Sequence, residues 1–278
     1  MVKKRGLFSK IFEIFMVLLT LPVYWVVYYF VINTSFKTQA DASRLSLKLP
    51  EVWNGVENYK YVLTYNHNML FKTLGNSLLL SFCSIFILVF VSSATALILQ
   101  RRKNRICAMS NKLILAGLIV PASVIPTYWV LNRLGLANTM PGLILVEVAT
   151  LFPFATMMFK DYLMTIPREI DEAALIDGCS PVQLYFHIIF PLLKPITVAV
   201  IILRSVVVYN DFQNPQYYMS GSRSQTVQIF IYMFKEAFVA DYGHLFAAVI
   251  LVSLPMIILF IVLNKKVMEG MVIGSVKG

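Results

Sequence analysis

Six long runs of apolar residues constrain this chain more than any other feature of its sequence. Each run is long enough to cross the hydrocarbon core of a bilayer as a helix, which takes about 20 residues. The runs cover approximately residues 11–32, 74–99, 110–131, 141–163, 195–217 and 245–264. Because a spanning helix satisfies its own backbone hydrogen bonds, the sequence predicts an all-α membrane protein. We expect six transmembrane helices within a single domain, residues 1–278.

The charged residues are few and unevenly placed, which supports this prediction. They make up 14% of the chain, and apolar residues make up 58%, whereas a soluble domain averages about 25% and about 45–50%. Basic residues cluster beside the apolar runs, at residues 3–10, 101–112 and 265–277. Cytoplasmic loops carry an excess of Lys and Arg, so this pattern places both termini in the cytoplasm. It also accounts for the net charge of +10 without nucleic-acid binding.

The sequence shows no pattern of residues that is typical of an enzyme. The three cysteines and three histidines are not spaced as metal ligands, and no P-loop or dinucleotide-binding pattern occurs. No catalytic triad or pair of catalytic carboxylates is apparent. We therefore expect no catalytic residue, no metal site and no ATP hydrolysis by this chain alone.

A polar segment of about thirty residues, approximately 165–194, separates the fourth apolar run from the fifth. Acidic residues follow Pro167, which suits a helix N-terminus, and Gly178 is placed to end that helix in the left-handed conformation. Ser180-Pro181-Val182-Gln183 has the pattern of a capping box. It predicts a second short helix, which Pro191 should stop. This local chemistry leaves two interpretations open: a rigid docking surface for a soluble partner, or a helical connecting loop.

The segment resembles the EAA loop of ABC importer permeases, which docks on the ATPase subunits. The resemblance lies in Glu172-Ala173-Ala174, three residues, Gly178, nine residues, Ile188, and a hydrophobic residue before Pro191. Phe190 stands where the pattern usually has leucine. The resemblance implies the type I ABC importer permease fold, in which this chain is a non-catalytic subunit. It assigns ATPase coupling to Glu169, Glu172, Ala173, Ala174, Asp177, Gly178, Ile188 and Pro191.

Shorter matches along nearly the whole chain resemble the carbohydrate-uptake permeases of the maltose-transporter MalG type. They include Glu57-Asn58-Tyr59, residues 135–139 and the tail at residues 274–278. The resemblance implies half of a translocation path for a carbohydrate, with an oligosaccharide expected, delivered by an extracytoplasmic solute-binding protein. It also implies a second homologous permease in a heterodimer and two ATPase subunits. These ATPases would bind ATP and Mg, so no cofactor is expected in this chain. The location implied is the inner or plasma membrane of a bacterial or archaeal cell.

Polar residues in or beside the apolar runs are candidates for the solute path, because charges inside a membrane are expensive and usually functional. Arg204 falls near the middle of the fifth run, and Asp211, seven residues later, should share its helix face. Aromatic rings and amides suit sugars. Two interpretations stay open: a solute path, or a structural ion pair of Arg204 with Glu147 or with a partner subunit. The path candidates are Arg204, Tyr209, Asn210, Asp211 and Glu147.

Three alternatives remain to the carbohydrate importer. The same machinery could carry a non-sugar solute. A self-contained secondary transporter would show inverted repeats with interrupted helices, and no such repeat is evident. A membrane scaffold that recruits an ATPase without transporting solute is the third alternative.

Overall fold

The structure, a computed structural model, describes residues 7–219, 225–237 and 241–275. Within these ranges all regular structure is helical. The basic residues Lys3, Lys4 and Arg5, and the last three residues of the tail, lie outside the described part of the chain. The helices are α1 Leu7–Ser35, α2 Gln39–Ala42, α3 Gly55–Arg101, α4 Arg105–Ile119, α5 Val124–Arg133, α6 Met140–Leu163, α7 Glu169–Ile176, α8 Pro181–Gln183, a π-helix Leu184–Ile189, α9 Phe190–Leu192, α10 Lys194–Tyr209, α11 Gln213–Tyr218, α12 Val227–Ala237 and α13 Tyr242–Ser275.

Four of the described helices are long and apolar enough to cross a membrane. They are Phe15–Ser35 in α1, all of α3, all of α6, and Tyr242–Leu263 in α13. A fifth candidate is the pair Pro181–Leu192 and Lys194–Tyr209, which is bent by 74°. The all-helical prediction is therefore confirmed, whereas the described helices include four candidate spans, or up to five, where the sequence predicts six.

The predicted third span, residues 110–131, is divided into α4 and α5. α4 ends at Ile119 and α5 begins at Val124. Val120, which precedes Pro121, has the extended conformation (φ −72°, ψ 121°). A proline disfavours the helical conformation of the residue before it and cannot donate a backbone hydrogen bond. The apolar run is thus as long as predicted, but it does not form one continuous helix.

The predicted fifth span, residues 195–217, also ends early, because α10 stops at Tyr209. The Asp211 carboxylate accepts hydrogen bonds from the backbone N–H groups of Gln213 (2.8 Å) and Asn214 (3.3 Å). These contacts satisfy donors that a new helix leaves free, and α11 starts there. The prediction that Asp211 shares a helix face with Arg204 is therefore wrong.

Contacts group the chain into two compact units. In the unit formed by Lys72–Phe230 and Leu254–Gly278, α6 packs against α4, α10 and α11. Its apolar core includes Leu88 of α3, Phe159 of α6 and Val200 of α10, all fully buried. In the unit formed by Met1–Phe71 and Ile231–Ser253, the Asn58 amide donates to the carbonyls of Ser35 and Lys37, at 2.9 Å each.

Candidate functional site

The polar segment folds into α7 and a second helical stretch that begins at α8. Gly178 follows α7 with φ +81°. The Cys179 N–H donates to the Ala174 carbonyl at 3.0 Å and the Gly178 N–H to the Leu175 carbonyl at 3.1 Å. This pair of bonds is the Schellman motif, in which a left-handed glycine closes the helix. A Cβ on Gly178 would meet nothing within 4 Å, so the backbone conformation, not space, restricts this position.

The predicted capping box at Ser180 is present. The Gln183 N–H donates to Ser180 Oγ at 3.3 Å, and the Ser180 N–H donates to Gln183 Oε1 at 2.9 Å. The helical stretch then widens into the π-helix and continues through α9. The prediction that Pro191 stops this helix is wrong by a short margin, because the helical stretch includes Pro191 and runs on to Leu192. The two caps separate two helical stretches within residues 165–194, a segment that we call the elbow.

The elbow is fastened to the end of α3. Arg101 Nε and Asp171 Oδ2 are 2.6 Å apart, and both side chains are mostly buried. Arg101 also donates to the Ile166 carbonyl at 3.1 Å, while Arg168 donates to the Gln100 carbonyl at 3.0 Å. The sequence indicates only a topological role for Arg101. Its second role depends on a residue 70 positions away, which no local pattern reveals.

The second helical stretch is fastened to the same helix. The hydroxyl groups of Tyr185 and Ser93 lie 2.7 Å apart, and both side chains are buried. Ile189 is fully buried in the apolar core. The elbow is therefore held to α3 on both of its arms.

Six of the eight predicted coupling residues are exposed: Glu169, Glu172, Ala173, Asp177, Gly178 and Pro191. Ile188 is half-buried, and Ala174 is only 5% exposed and packs inside its own chain. Sequence reasoning missed the exposed apolar side chains beside them, of which Ile176 is 85% exposed. With Ile176, these are Leu175, Val182 and Phe186.

Three of these apolar side chains line a groove of about 470 Å³ between the elbow and α3. Its wall also contains the fastening pair Arg101 and Asp171. This apolar groove, beside the exposed acidic residues of α7, is suited to contact a soluble partner, since large exposed apolar patches commonly mark interaction sites.

Of the five path candidates, the structure brings two together, since the Glu147 and Asp211 side chains lie next to each other. The Arg204 guanidinium lies 4.0 Å from the centre of the Phe154 ring, a cation–π contact. Its Nε has no hydrogen-bond partner in the described part of the chain. Glu147 is buried and accepts a hydrogen bond from the Asn214 amide at 3.1 Å. Among the described residues, Glu147 and Arg204 form no ion pair.

The remaining candidates have different surroundings. Tyr209 is 2% exposed, so it packs in the interior and lines no open path in this structure. Asn210 is exposed, and Gln228 donates to its amide oxygen at 3.1 Å. Gln228 and Asn214 were not predicted, because only the fold brings Gln228 to Asn210 and Asn214 to Glu147. In the described residues no group of three or more His, Cys, Asp or Glu is placed to hold a metal ion.

Several apolar helices with a capped polar elbow between two of them are features of an integral membrane protein. The chain matches the family model of the binding-protein-dependent transport system inner membrane component over residues 2–267, and it belongs to this family. It is therefore a multi-pass membrane protein and a permease subunit of an ABC importer, as the EAA resemblance implies.

Individual relatives agree with this assignment. The chain is 30% identical over 267 residues to the probable ABC transporter permease protein YurM of Bacillus subtilis, covering 95% of this chain and 86% of the relative. It is 27% identical to the melibiose/raffinose/stachyose import permease protein MelC of the same species, covering 92% of each. The Thermoanaerobacterium thermosulfurigenes protein AmyC, a probable starch degradation products transport system permease, is 28% identical.

A solved structure confirms the fold. It is a chain of a bacterial ABC transporter involved in the import of the acidic polysaccharide alginate, with a TM-score of 0.78. The match covers 95% of this chain and 99% of the other, at 16% sequence identity. The helices described above thus form an ABC importer permease fold.

Proposed function

We propose that this permease subunit forms half of a translocation path for a carbohydrate, with an oligosaccharide as the expected substrate. The observation that carries the proposal is the similarity to MelC, named for melibiose, raffinose and stachyose, over 92% of both chains. AmyC, named for starch degradation products, supports the same substrate class over 93% of this chain.

The rest of the transporter follows from the family. A second homologous permease completes the path, two ATPase subunits bind ATP and Mg, and an extracytoplasmic binding protein delivers the solute. Both termini lie in the cytoplasm and the chain crosses six times. In this arrangement α4 and α5 together make the third crossing despite their break. The bent stretch from α8 to α10 leads into the fifth.

ATP-driven motion enters this chain through the elbow. Its exposed acidic residues and the apolar side chains around Ile176 contact the ATPase. The contacts of Arg101 and Tyr185 then pass the movement to α3. The chain itself holds no nucleotide and performs no catalysis.

Uptake by the complete transporter in proteoliposomes tests this function. We expect accumulation of labelled raffinose or maltotriose that requires the binding protein and internal ATP. Collapse of the proton gradient should leave it unchanged. Uptake without ATP would favour a secondary transporter, and ATP hydrolysis without uptake of any solute would favour a scaffold. Mass spectrometry of the ligand retained by the binding protein then identifies the solute.

A charged solute is a second candidate, and Arg204 favours it. This cation has no carboxylate partner among the described residues, and it lies over the Phe154 ring. If Arg204 faces the path, Arg204→Gln should slow the uptake of acidic oligosaccharides more than that of neutral ones. Arg204→Lys keeps the positive charge, so it should transport acidic oligosaccharides at close to the wild-type rate. An equal effect on both solutes, or a change only in protein level, would assign Arg204 a structural role.

A further inference from the structure

A basic concavity of about 610 Å³ lies where the end of α3, the start of α4 and the last turns of α6 meet. Four cationic side chains line it, and none of the described residues in its wall is acidic. The four are Arg102, Lys103, Arg105 and Lys160. Like charges repel one another, so an anion bound among these four cations would be stabilised.

The cations are not neutralised within the described part of the chain. Arg101, which precedes them, is paired with Asp171, but Arg102, Lys103 and Arg105 are exposed and form no ion pair there. Lys160 donates a hydrogen bond of 2.6 Å to the Asn111 side chain. That amide carries no charge, so it positions the ammonium group without neutralising it.

The start of α4 adds a further positive potential. α4 has 15 residues, and its N-cap Asn104 accepts a hydrogen bond from the Cys107 N–H at 2.7 Å. A helix N-terminus carries a partial positive charge. Asn104, Arg105 and Cys107 all line the concavity, so the helix end and the side chains favour the same anionic ligand.

The position of the concavity indicates where the anion comes from. α3 and α6 are both candidate membrane spans, and they end at Arg101 and Leu163. The basic residues therefore lie at the depth of the lipid headgroups. On α4, Ile106, Met109 and Leu113 are each more than half exposed and occupy one helix face at spacings i, i+3 and i+7. This face offers an apolar surface to acyl chains next to the cations.

We propose that this concavity binds the phosphate of an anionic membrane lipid, with its acyl chains along the exposed face of α4. Arginine binds phosphate oxygens in a bidentate geometry and lysine adds a point charge. Basic pockets between transmembrane helices bind anionic headgroups in this way. The lipid would bridge α3, α4 and α6 at one end of the protein.

Native mass spectrometry of the purified, delipidated transporter tests the proposal. It is titrated with phosphatidylglycerol or with phosphatidylcholine of the same chains, and we expect the anionic lipid to be retained preferentially. Arg105→Gln should weaken phosphatidylglycerol binding about fivefold, the effect of one basic residue near the surface. Lys112→Gln is the matched control, because Lys112 is an exposed cation of α4 outside the concavity. It removes the same charge and should have little effect.

Two results would overturn the proposal: equal retention of the two lipids by the wild type, or equal weakening by Arg105→Gln and Lys112→Gln. Inorganic phosphate provides a third arm. If millimolar phosphate displaces the bound phosphatidylglycerol, the concavity is a site for soluble anions instead. If Arg105→Gln prevents assembly, Lys103→Gln gives the same comparison, since Lys103 lies in the exposed loop between α3 and α4.

Discussion

At the scale of single residues, some of the side chains that hold the structure together have partners far away in the sequence. Arg101 belongs to a basic cluster that is typical of a cytoplasmic loop, yet its contact with Asp171 fastens the elbow. The local roles of Gly178 and Ser180 could be predicted, since each depends on a turn within four residues. The partners of Arg101 and Glu147 could not, because the fold alone brings them together.

Arg101→Ala should loosen the elbow. The side chains of the ion pair are 14% and 13% exposed, and removing one partner of such a buried pair costs about 3 kcal/mol. We expect faster cleavage of residues 165–194 by limited proteolysis of the purified transporter and a lower melting temperature. The exchange Arg101→Asp with Asp171→Arg should restore part of the loss. Arg102→Ala is the control, and equal cleavage of the two single variants would contradict the fastening role.

Gly178→Val should uncouple ATP hydrolysis from uptake while membrane insertion stays normal. A β-branched residue is strained at φ +81°, because the left-handed conformation costs even an unbranched L-residue about 1–2 kcal/mol. Gly178→Asn is the matched variant, because asparagine tolerates this conformation, and it should transport nearly normally. The measurement is ATPase activity and solute uptake in the same proteoliposomes. Full uptake by the valine variant would show that the turn is not needed.

At the scale of elements, hydropathy predicts where apolar helices lie but not where they break. α4 and α5 are separated at Pro121, and α10 ends where the Asp211 carboxylate caps the next helix. Both breaks fall inside apolar runs, so hydropathy alone does not predict them. The caps of α7 and α8 were predictable because they involve neighbouring residues of distinctive type. The exposed apolar side chains of the elbow could not be predicted, because the sequence does not show which apolar residues the fold will bury.

The exposed face of the elbow gives a prediction of its own. Ile176→Asp should weaken the association with the ATPase, because Ile176 is 85% exposed and a carboxylate would have to lose its water in the interface. Glu172→Arg should have the same effect through charge. The measurement is the amount of ATPase that co-purifies with the tagged permease. Val56→Asp is the control, because Val56 is 84% exposed and lies outside the elbow. Unchanged co-purification of both elbow variants would exclude this face.

At the scale of the whole molecule, the fold is the permease fold expected from the EAA resemblance, and the number of crossings stays a prediction. Six crossings place the loop after α3 in the cytoplasm and the loop after α1 outside. The four longest spans could be predicted from length and hydropathy alone. The interrupted helices at the third and fifth apolar runs could not be predicted from hydropathy, because the interruptions depend on contacts made in the folded protein.

Cysteine labelling in intact cells tests this topology. After replacement of Cys83, Cys107 and Cys179, a cysteine introduced at Lys48 should react with a membrane-impermeant maleimide. A cysteine at Lys103 should react only after the membrane is opened, because six crossings put the two positions on opposite sides. Labelling of both positions in intact cells would contradict the six-crossing arrangement.

The double fastening of the elbow has a mechanical consequence. From Lys72 to Arg101, α3 continues without interruption and carries both attachment points, at Ser93 and Arg101, near one end. Because the elbow contacts α3 at two places near the same end, α3 cannot easily rotate about either contact when the elbow moves. We therefore expect a displacement of the elbow to move α3 from Lys72 to Arg101 as one piece, unless the Arg101–Asp171 contact breaks first.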